Sequence, residues 1–189
     1  GDESVTAPFY AAYAPFSPRV IFDRREPYYV VTRAERPRPD SQPVLVERAT
    51  ERDLDETLAN SALQHREDLG DDRCGADPEG FRRRHAKDLR DGRWWVARDA
   101  GRIVFQVHVR AENAHVVQLG GVMVPPEARN HGWATRGMSG IVDRLLEWRP
   151  AGGLFCYEHN AAARRVYERV GFRNLFHYRS WLLDEPLSR

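Results

Sequence analysis

The stretch that decides the fold joins a strand to a helix, and it reads Val122-Met123-Val124-Pro125-Pro126-Glu127-Ala128-Arg129-Asn130-His131-Gly132-Trp133-Ala134. The apolar run ends at Val124, a Pro-containing turn follows, and a helical pattern starts near Gly132. A helix N-terminus carries unpaired N–H groups and the positive end of the helix dipole, so this corner is suited to binding a diphosphate. Gly132 has no Cβ that would obstruct a phosphate. The alternative interpretation is an ordinary corner between a strand and a helix.

Two common nucleotide-binding loops are excluded at this corner. The Gly-Lys-Ser/Thr ending of a P-loop is absent, and so is the Gly-x-Gly-x-x-Gly pattern of a dinucleotide-binding fold. A phosphate at this position would therefore be bound by another type of strand–turn–helix corner.

The segments around the corner alternate between strand and helix patterns. Apolar alternation predicts strands at 44–46, 94–98, 103–109, 115–124, 154–157 and 172–183. A period near that of an α-helix predicts helices at about 51–68, 78–91, 133–148 and 161–170. The short connections between three consecutive strands favour an antiparallel meander. The fold class is therefore predicted as α+β, with a mixed central sheet flanked by helices.

The N-terminal part of the chain differs from the rest in composition. Residues 1–43 are predicted as an aromatic-rich extension, with a strand at 28–32 and a Pro-rich linker at 34–43. Residues 44–189 are predicted as the compact domain. A single domain fits the 189 residues, because folded units usually contain roughly 100–200.

Composition narrows the class of protein. The 29 Lys and Arg nearly balance the 28 Asp and Glu, which leaves a net charge of +1 and predicts no nucleic-acid or membrane partner. No apolar run is long enough for a membrane span, and the sequence contains no charged start followed by an apolar secretory stretch. Cys74 and Cys156 do not form a disulfide framework, and no closely spaced Cys/His pairs predict a metal site. We therefore expect a cytoplasmic protein without a metal.

Three stretches in the same order resemble the GNAT superfamily of N-acetyltransferases. The first is Arg129-x-x-Gly132-x-Ala134, which fits the superfamily's acetyl-coenzyme A motif. The second is Asn160-x-x-Ala163-x-x-x-Tyr167-x-x-x-Gly171-Phe172. The third, Gln118-Leu119-Gly120-Gly121-Val122, resembles the branch that includes glycine N-acyltransferase-like proteins. The resemblance covers 44–183 in element order and implies a GNAT-like fold.

The resemblance also implies the donor and the residues that bind it. The donor would be acetyl-coenzyme A or another acyl-coenzyme A, with its pantetheine arm along the strand at 122–124. The residues implied in its binding are Val122, Met123, Val124, Arg129, Asn130, His131, Gly132, Trp133, Ala134, Asn160 and Ala163. Asn130 stands where the family usually has Gly, but Asn tolerates left-handed backbone angles. Trp133 either packs beneath the helix or contacts the nucleotide.

The same resemblance assigns catalytic roles. Tyr167 matches the tyrosine that donates a proton to the departing thiolate, although it also fits an apolar helical stripe as a core aromatic. The position of the family's general base is occupied by Gln118, which cannot accept a proton at neutral pH. We assign Gln118 to orienting the acceptor and Glu158 to the base. His159, His108, His115 or a water chain are the alternatives.

The acceptor is expected to be a small amine. Carboxylates between the first two helices of the domain either attract a cationic amine or form a solvated loop; they are Glu67, Asp68, Asp71, Asp72 and Asp77. Cys156 is predicted as a buried packing residue. The alternative functions are a non-catalytic acyl-coenzyme A-binding module and an acyltransferase that acts on a carrier protein. A homodimer is also compatible with the sequence.

Overall fold

The computed structural model describes residues 1–16, 20–34, 36, 42–69 and 73–183. Their strands are β1 Val20–Thr32, β2 Glu47–Arg48, β3 Trp94–Asp99, β4 Arg102–Glu112, β5 Val116–Met123, β6 Ala151–Phe155 and β7 Arg173–Leu183. They form one sheet in the order β2-β3-β4-β5-β6-β1-β7. Strands β5 and β6 run parallel, and the other neighbouring pairs are antiparallel. The predicted α+β class with a mixed sheet is confirmed.

Helices cover both faces of this sheet: α1 Glu3–Tyr13, α2 Leu54–Leu69, α3 Arg73–Ala76, α4 Pro78–Arg90, α5 Trp133–Trp148 and α6 Ala161–Val170. Consecutive residues of β3 point to opposite faces, so Trp94 packs with Leu89 of α4 while Trp95 joins the core under α5. Strand β4 is buried along most of its length, as expected of a central strand covered on both sides.

The parallel strands β5 and β6 separate near the middle of the sheet. They pair from Val116 and Ala151 as far as Leu119 and Leu154, and no pairing follows beyond these residues. On the other side of β5, the register with β4 shifts near Gly121, whose φ is +59°. Adjacent glycines such as Gly120 and Gly121 are typical of such a bulge. The separation opens a cleft between the two strands.

Strand β1 is a member of the central sheet, although the sequence grouped it with an extension that precedes the domain. It pairs with β6 through Tyr28–Thr32 and with β7 through a longer register that starts at Val20. Tyr29 and Val31 are 1% and 0% exposed in the main core. Residues before Val44 therefore complete the sheet, and part of the Pro-rich linker (35 and 37–41) lies outside the described residues.

Other boundaries differ from the sequence predictions in instructive ways. Residues 44–46 form no ladder, and the short strand follows at Glu47–Arg48. Strand β6 starts three residues earlier than predicted, because Gly152 and Gly153 pair with both neighbours. The sequence did not predict α1 or α3. The bounds of α5 and α6 agree with the predicted 133–148 and 161–170.

Candidate active site

A cavity of about 530 Å³ lies in the cleft where β5 and β6 separate. Its walls come from β5, the corner before α5, the first turns of α6 and the last turns of α2. Most of the residues that the sequence predicted for the site line it, and these are Val122, Met123, Val124, Arg129, Ala134, Asn160, Ala163 and Tyr167. Segments far apart in the chain thus meet at one cleft.

The corner before α5 has the backbone of an anion-binding helix start. Asn130 and Gly132 both adopt left-handed angles, with φ of 64° and 77°. Gly132 is the N-cap of the 16-residue helix α5, and no side chain caps the N–H groups of the first turn. A Cβ built on Gly132 meets nothing within 4 Å. This open helix start therefore fits a bound diphosphate.

Four residues of the predicted loop do not line the cavity itself: Asn130, His131, Gly132 and Trp133. The side chain of Trp133 packs against the main core, which agrees with the first of its two predicted placements. The Arg136 guanidinium lies 4.4 Å from the centre of the Trp133 ring. Arg136 forms no ion pair with any residue in the described ranges, so it adds an uncompensated positive charge to the first turn of α5.

Arg129 ties the corner to α2. Its Nη2 lies 2.7 and 3.0 Å from the two carboxylate oxygens of Glu67, and its Nε donates to the carbonyl oxygen of Val124 at 3.1 Å. The charge of Arg129 is therefore compensated by protein. Backbone N–H groups and Arg136 remain as the groups with which the corner attracts an anion.

The edge of β5 that faces the cleft has a defined polar partner. The Gln64 amide donates to the carbonyl oxygen of Val122 at 3.0 Å, which ties α2 to the strand just after the bulge. Gln106 of β4 lies behind this contact, where its amide donates to Ser61 Oγ at 3.1 Å and accepts from Asn60 at 3.1 Å. These contacts fix the distance between α2 and the strand that the sequence assigned to the donor arm.

Tyr167 is the phenol that faces the cavity from α6. It is 7% exposed and contacts the rings of Tyr29 and Phe172, with centroids 6.2 and 6.0 Å away. Burial strongly raises the pKa of its hydroxyl, so the group stays protonated at physiological pH. The structure therefore combines both readings of the sequence, since Tyr167 is a core aromatic that also lines the cavity. Asn160 likewise lines the cavity and caps α6, with Oδ1 accepting from Ala163 N at 3.0 Å.

Besides Glu67, which pairs with Arg129, two carboxylates line the same cavity, and the sequence gave neither a catalytic role. Asp68 lies at the end of α2, where burial raises its pKa and the Gln64 side chain donates a hydrogen bond to it. Glu26 lies on β1 and forms no ion pair with a residue in the described part of the chain, and burial raises its pKa as well. Raised values bring both carboxylates closer to the range that suits a general base.

The residues that the sequence assigned to the acceptor and to the base lie elsewhere. Gln118 is in the paired part of β5, opposite Gly153, and does not line the cavity. Glu158 lines a neighbouring depression of about 410 Å³ and lies 3.3 Å from Arg25. His159 lines the same depression and stacks on the ring of Tyr157. The structure therefore does not bring Glu158 together with Tyr167.

The remaining histidine candidates are also outside the cavity. His108 is buried between β4 and α4, and its ring stacks on Trp94 with centroids 4.5 Å apart. Burial lowers its pKa to about 3, aided by the charges of Arg110, His85 and Arg93. His115 is exposed at the start of β5. Neither ring faces the cleft.

The predicted carboxylate loop contributes only its first part. Glu67 and Asp68 line the cavity, whereas Asp77 caps α4 by accepting from Gly80 N at 2.8 Å. Asp71 and Asp72 lie outside the described residues. Cys156 is 5% exposed, and burial raises the pKa of its thiol to about 12, which confirms its assignment as a packing residue.

Sequence reasoning missed several residues of the site. Glu26 ends a run of four charged residues in the middle of β1, Arg110 lies near the end of β4, and nothing local distinguishes either from a solvated residue. Helix α2 did carry a signal, because Asn60, Gln64 and Asp68 recur at four-residue spacing and form a polar row beside a buried sheet. Such a row on a helix that must cover a core predicts partners in that core.

Two other features are absent from the described residues. These residues contain no group of three or more His, Cys, Asp or Glu side chains placed to hold a metal ion. None of the helices in these ranges combines the length and the apolar character needed to cross a bilayer.

The site thus combines an open helix start, a separated pair of parallel strands and a phenol that lines the cleft between them. Residues 60–172 match the acetyltransferase (GNAT) family, and the chain therefore belongs to that family. The finer resemblance to the glycine N-acyltransferase-like branch stays a prediction. None of the curated proteins matches the sequence.

Solved structures share the fold at low sequence identity. An acetyltransferase of the GNAT family from Colwellia psychrerythraea has a TM-score of 0.68 at 10% identity, covering 93% of this chain and 62% of its own. A GCN5-related N-acetyltransferase from Sphaerobacter thermophilus has a TM-score of 0.58 at 19% identity, covering 95% and 57%. Another from Ralstonia eutropha JMP134 reaches 0.55 at 17%, covering 69% and 92%. The chain thus spans less than two thirds of the first two proteins.

Proposed function

We propose that the chain is an N-acetyltransferase that uses acetyl-coenzyme A, or another acyl-coenzyme A, and acylates a small amine by direct attack. The observation that carries this proposal is that Tyr167 and Asp68 face one cavity at the separation of β5 and β6. That cavity continues to Ala134 at the start of α5, where a diphosphate would be bound. Family membership supports the donor, and the acceptor follows from the chemistry of the cavity.

The residues divide the work of acyl transfer between them. Backbone groups of the corner at 129–134 and the first turn of α5 would hold the diphosphate. An N–H of the segment 122–124 would face the oxyanion that develops on the thioester carbonyl. The amine nitrogen forms its bond to the acyl carbon, and the carbon–sulfur bond breaks. The departing thiolate then takes the proton of Tyr167.

Asp68 is our choice for the general base. The Asp68 carboxylate is close enough to Tyr167 to contribute to the raised pKa of that phenol, whereas Glu26 makes no such contribution. The carboxylate takes the proton that the amine nitrogen loses, and solvent later removes that proton from Asp68 and returns one to Tyr167. The products are the amide and the free thiol of coenzyme A, and no covalent enzyme intermediate forms.

The test measures thiol release from acetyl-coenzyme A with a panel of primary amines, together with coenzyme A binding by calorimetry. We expect Tyr167→Phe to lower kcat by about 10²- to 10⁴-fold, because a positioned proton donor contributes that much. Coenzyme A binding should not change. Tyr13→Phe is the matched control, since Tyr13 stacks on Phe9 in α1 and does not line the cavity.

Asp68→Asn tests the base in the same assay. The variant should lose the rising limb of the pH profile that deprotonation of Asp68 produces, because Asn cannot accept the proton. Asp55→Asn is the control, since Asp55 is an exposed carboxylate on the same helix that pairs with Arg82. Coenzyme A binding without turnover of any amine would instead favour the non-catalytic binding module.

A further inference from the structure

Arg110 is an exposed cation in the wall of the cavity. It lies at the end of β4 and lines the cavity beside Gly120 of β5. A Cβ on Gly120 would come within 2.8 Å of Arg110 Nε and 2.9 Å of its Cγ, so the arginine lies across the glycine. Arg110 forms no ion pair with any residue that the structure describes. Its charge is therefore available to a ligand at the strand bulge.

Two carboxylates lie on the opposite walls of the same cavity, Glu26 near the charge of Arg24 and Asp68 hydrogen-bonded by Gln64. Glu26 belongs to β1, on the far side of the cleft from β4, beyond the end of β6. Its neighbour Pro27 accepts a hydrogen bond from Cys156 N at 3.1 Å, which fixes this strand beside the extension of β6. Asp68 closes the cavity from the end of α2.

Tyr157 lies between these opposite charges. Burial raises the pKa of its hydroxyl, and the charges of Arg24, Glu26, Asp68 and Arg110 all act on that pKa. The Tyr157 hydroxyl also accepts a hydrogen bond from Arg24 Nη1 at 3.0 Å. Side chains of opposite charge thus line one small part of the cavity, where a ligand that carries both charges would match them.

We infer that the acceptor is an amino acid, with its carboxylate bound by Arg110 and its amino group held between Glu26 and Asp68. This inference rests on the proposed function and names its substrate class. A simple amine would make no use of the Arg110 charge, and a simple acid would make no use of the two carboxylates. The arrangement also turns the amino group toward Asp68, the proposed base.

The experiment compares amine acceptors that differ only in the carboxylate. Standard L-amino acids are tested singly with acetyl-coenzyme A, each beside its primary amide and its decarboxylated amine. We expect a higher kcat/KM for the amino acid than for its primary amide or its decarboxylated amine. Arg110→Gln should raise the KM for the amino acid by about 10- to 100-fold, as expected for a lost charge-assisted pair, and leave the KM for the decarboxylated amine unchanged.

Two further variants control for charge and fold. Arg83→Gln removes one charge from the exposed face of α4, where Arg83 pairs only with Glu79 among the described residues, and should change nothing. Arg110→Lys keeps the charge but loses the bidentate contact with the substrate carboxylate. Its KM for the amino acid should therefore lie between those of the wild type and Arg110→Gln. Calorimetry of the same amino acids with the protein and coenzyme A tests binding without turnover.

The outcomes separate this inference from the proposed function. If no amine releases thiol but amino acids bind in an Arg110-dependent way, the proposed chemistry fails and the binding site stands. If amines without a carboxylate react as well as amino acids, the inference is overturned and the acetyltransferase stands. Weaker acetyl-coenzyme A binding in Arg110→Gln, with amino acid binding unchanged, would also overturn it, because Arg110 would then bind the donor.

Discussion

His85 and His108 are single residues whose protonation state the fold determines. Their rings stack on opposite sides of Trp94, with centroids 4.6 and 4.5 Å from the indole. His85 Nε2 lies 2.9 Å from Thr57 Oγ1. Burial lowers the pKa of His85 to about 4 and that of His108 to about 3. The stack contacts the strand bulge directly, because a Cβ on Gly121 would lie 3.2 Å from Trp94 and 3.3 Å from His108.

The stack makes the stability of the protein sensitive to acid. Unfolded histidines titrate near pH 6.5, so below that pH the unfolded state binds more protons than the folded one. We expect the free energy of unfolding to fall by about 1.4 kcal/mol per pH unit for each histidine as the pH drops from about 6.5 towards 4. Asp88 Oδ2 lies 3.3 Å from His108 Nε2. The pKa of His108 is nevertheless lowered, because burial and the charges of Arg110, His85 and Arg93 disfavour a protonated ring.

His108→Phe should remove the contribution of one histidine while keeping an aromatic ring against Trp94. Urea unfolding at pH 7.5, 6.0 and 5.0 measures the change, with His115→Phe as the control because His115 is exposed. The variant should lose less stability between pH 7.5 and 5.0 than the wild type. An equal loss in both proteins would show that His108 does not stay neutral in the fold.

Residues of the site were predictable where a motif fixes their place in an element. Tyr167 and Asn160 follow from their spacing within one helix. Glu26 and Arg110 lie on strands that meet the site only in three dimensions, and each sits in a stretch where charged residues are usually solvated. Glu158 was assigned to the site because it follows the predicted strand at 154–157, but it lies outside the main cavity and pairs with Arg25.

At the scale of the element, the corner before α5 carries the clearest prediction. Gly132→Ala should weaken acetyl-coenzyme A binding at least 10-fold, because a Cβ would project into the open space where a phosphate is expected. The substitution also strains a backbone with φ of 77°, which costs about 1–2 kcal/mol of stability. Calorimetry measures the binding, and thermal unfolding measures the strain.

A second glycine provides a matched control for this change. Gly101 lies in the turn between β3 and β4, with φ of 83° and nothing within 4 Å of a built Cβ. Gly101→Ala should therefore show a similar loss of stability with no loss of coenzyme binding. Similar binding losses in both variants would indicate that strain alone, and not contact with the phosphates, explains the effect at Gly132.

Helices and strands differed in how well local sequence predicted them. The bounds of α5 and α6 were predicted correctly, because apolar periodicity and the caps at Gly132 and Asn160 are local signals. Helix α1 was missed, since Pro8 lies inside it and proline usually excludes an interior helical position. The start of β6 was missed because glycine has a low strand propensity. Gly152 and Gly153 are held in a strand by pairing with β1 on one side and β5 on the other.

For the whole molecule, the position of β1 decides which truncations leave a folded protein. Removal of residues 1–43 would take away Tyr29 and Val31 and leave both β6 and β7 without their common partner. We expect this variant to lack cooperative thermal unfolding, as measured by circular dichroism. The sequence had suggested that these residues form an extension, and activity of this truncated variant on small amines would support that view.

Removal of residues 1–16 is the matched control. It deletes α1, whose contacts with the sheet include stacking of Tyr10 on Trp181 and the pairs of Glu3 with Arg25 and Arg179. We expect the shorter variant to fold with a loss of about 1–3 kcal/mol, because it loses one aromatic stack and exposed ion pairs. Failure of this variant to fold would assign the essential contacts to α1 instead of β1.

The position of β1 in the sheet also imposes an order on biosynthesis. The strand leaves the ribosome early, but Thr32 must wait for Ala151 and Val20 must wait for Leu183 before the ladders close. Such distant pairings slow folding and leave an unpaired hydrophobic strand exposed during translation. Nascent chains are therefore expected to depend on chaperones until the last strands emerge, and a pause in translation before β6 would favour aggregation through β1.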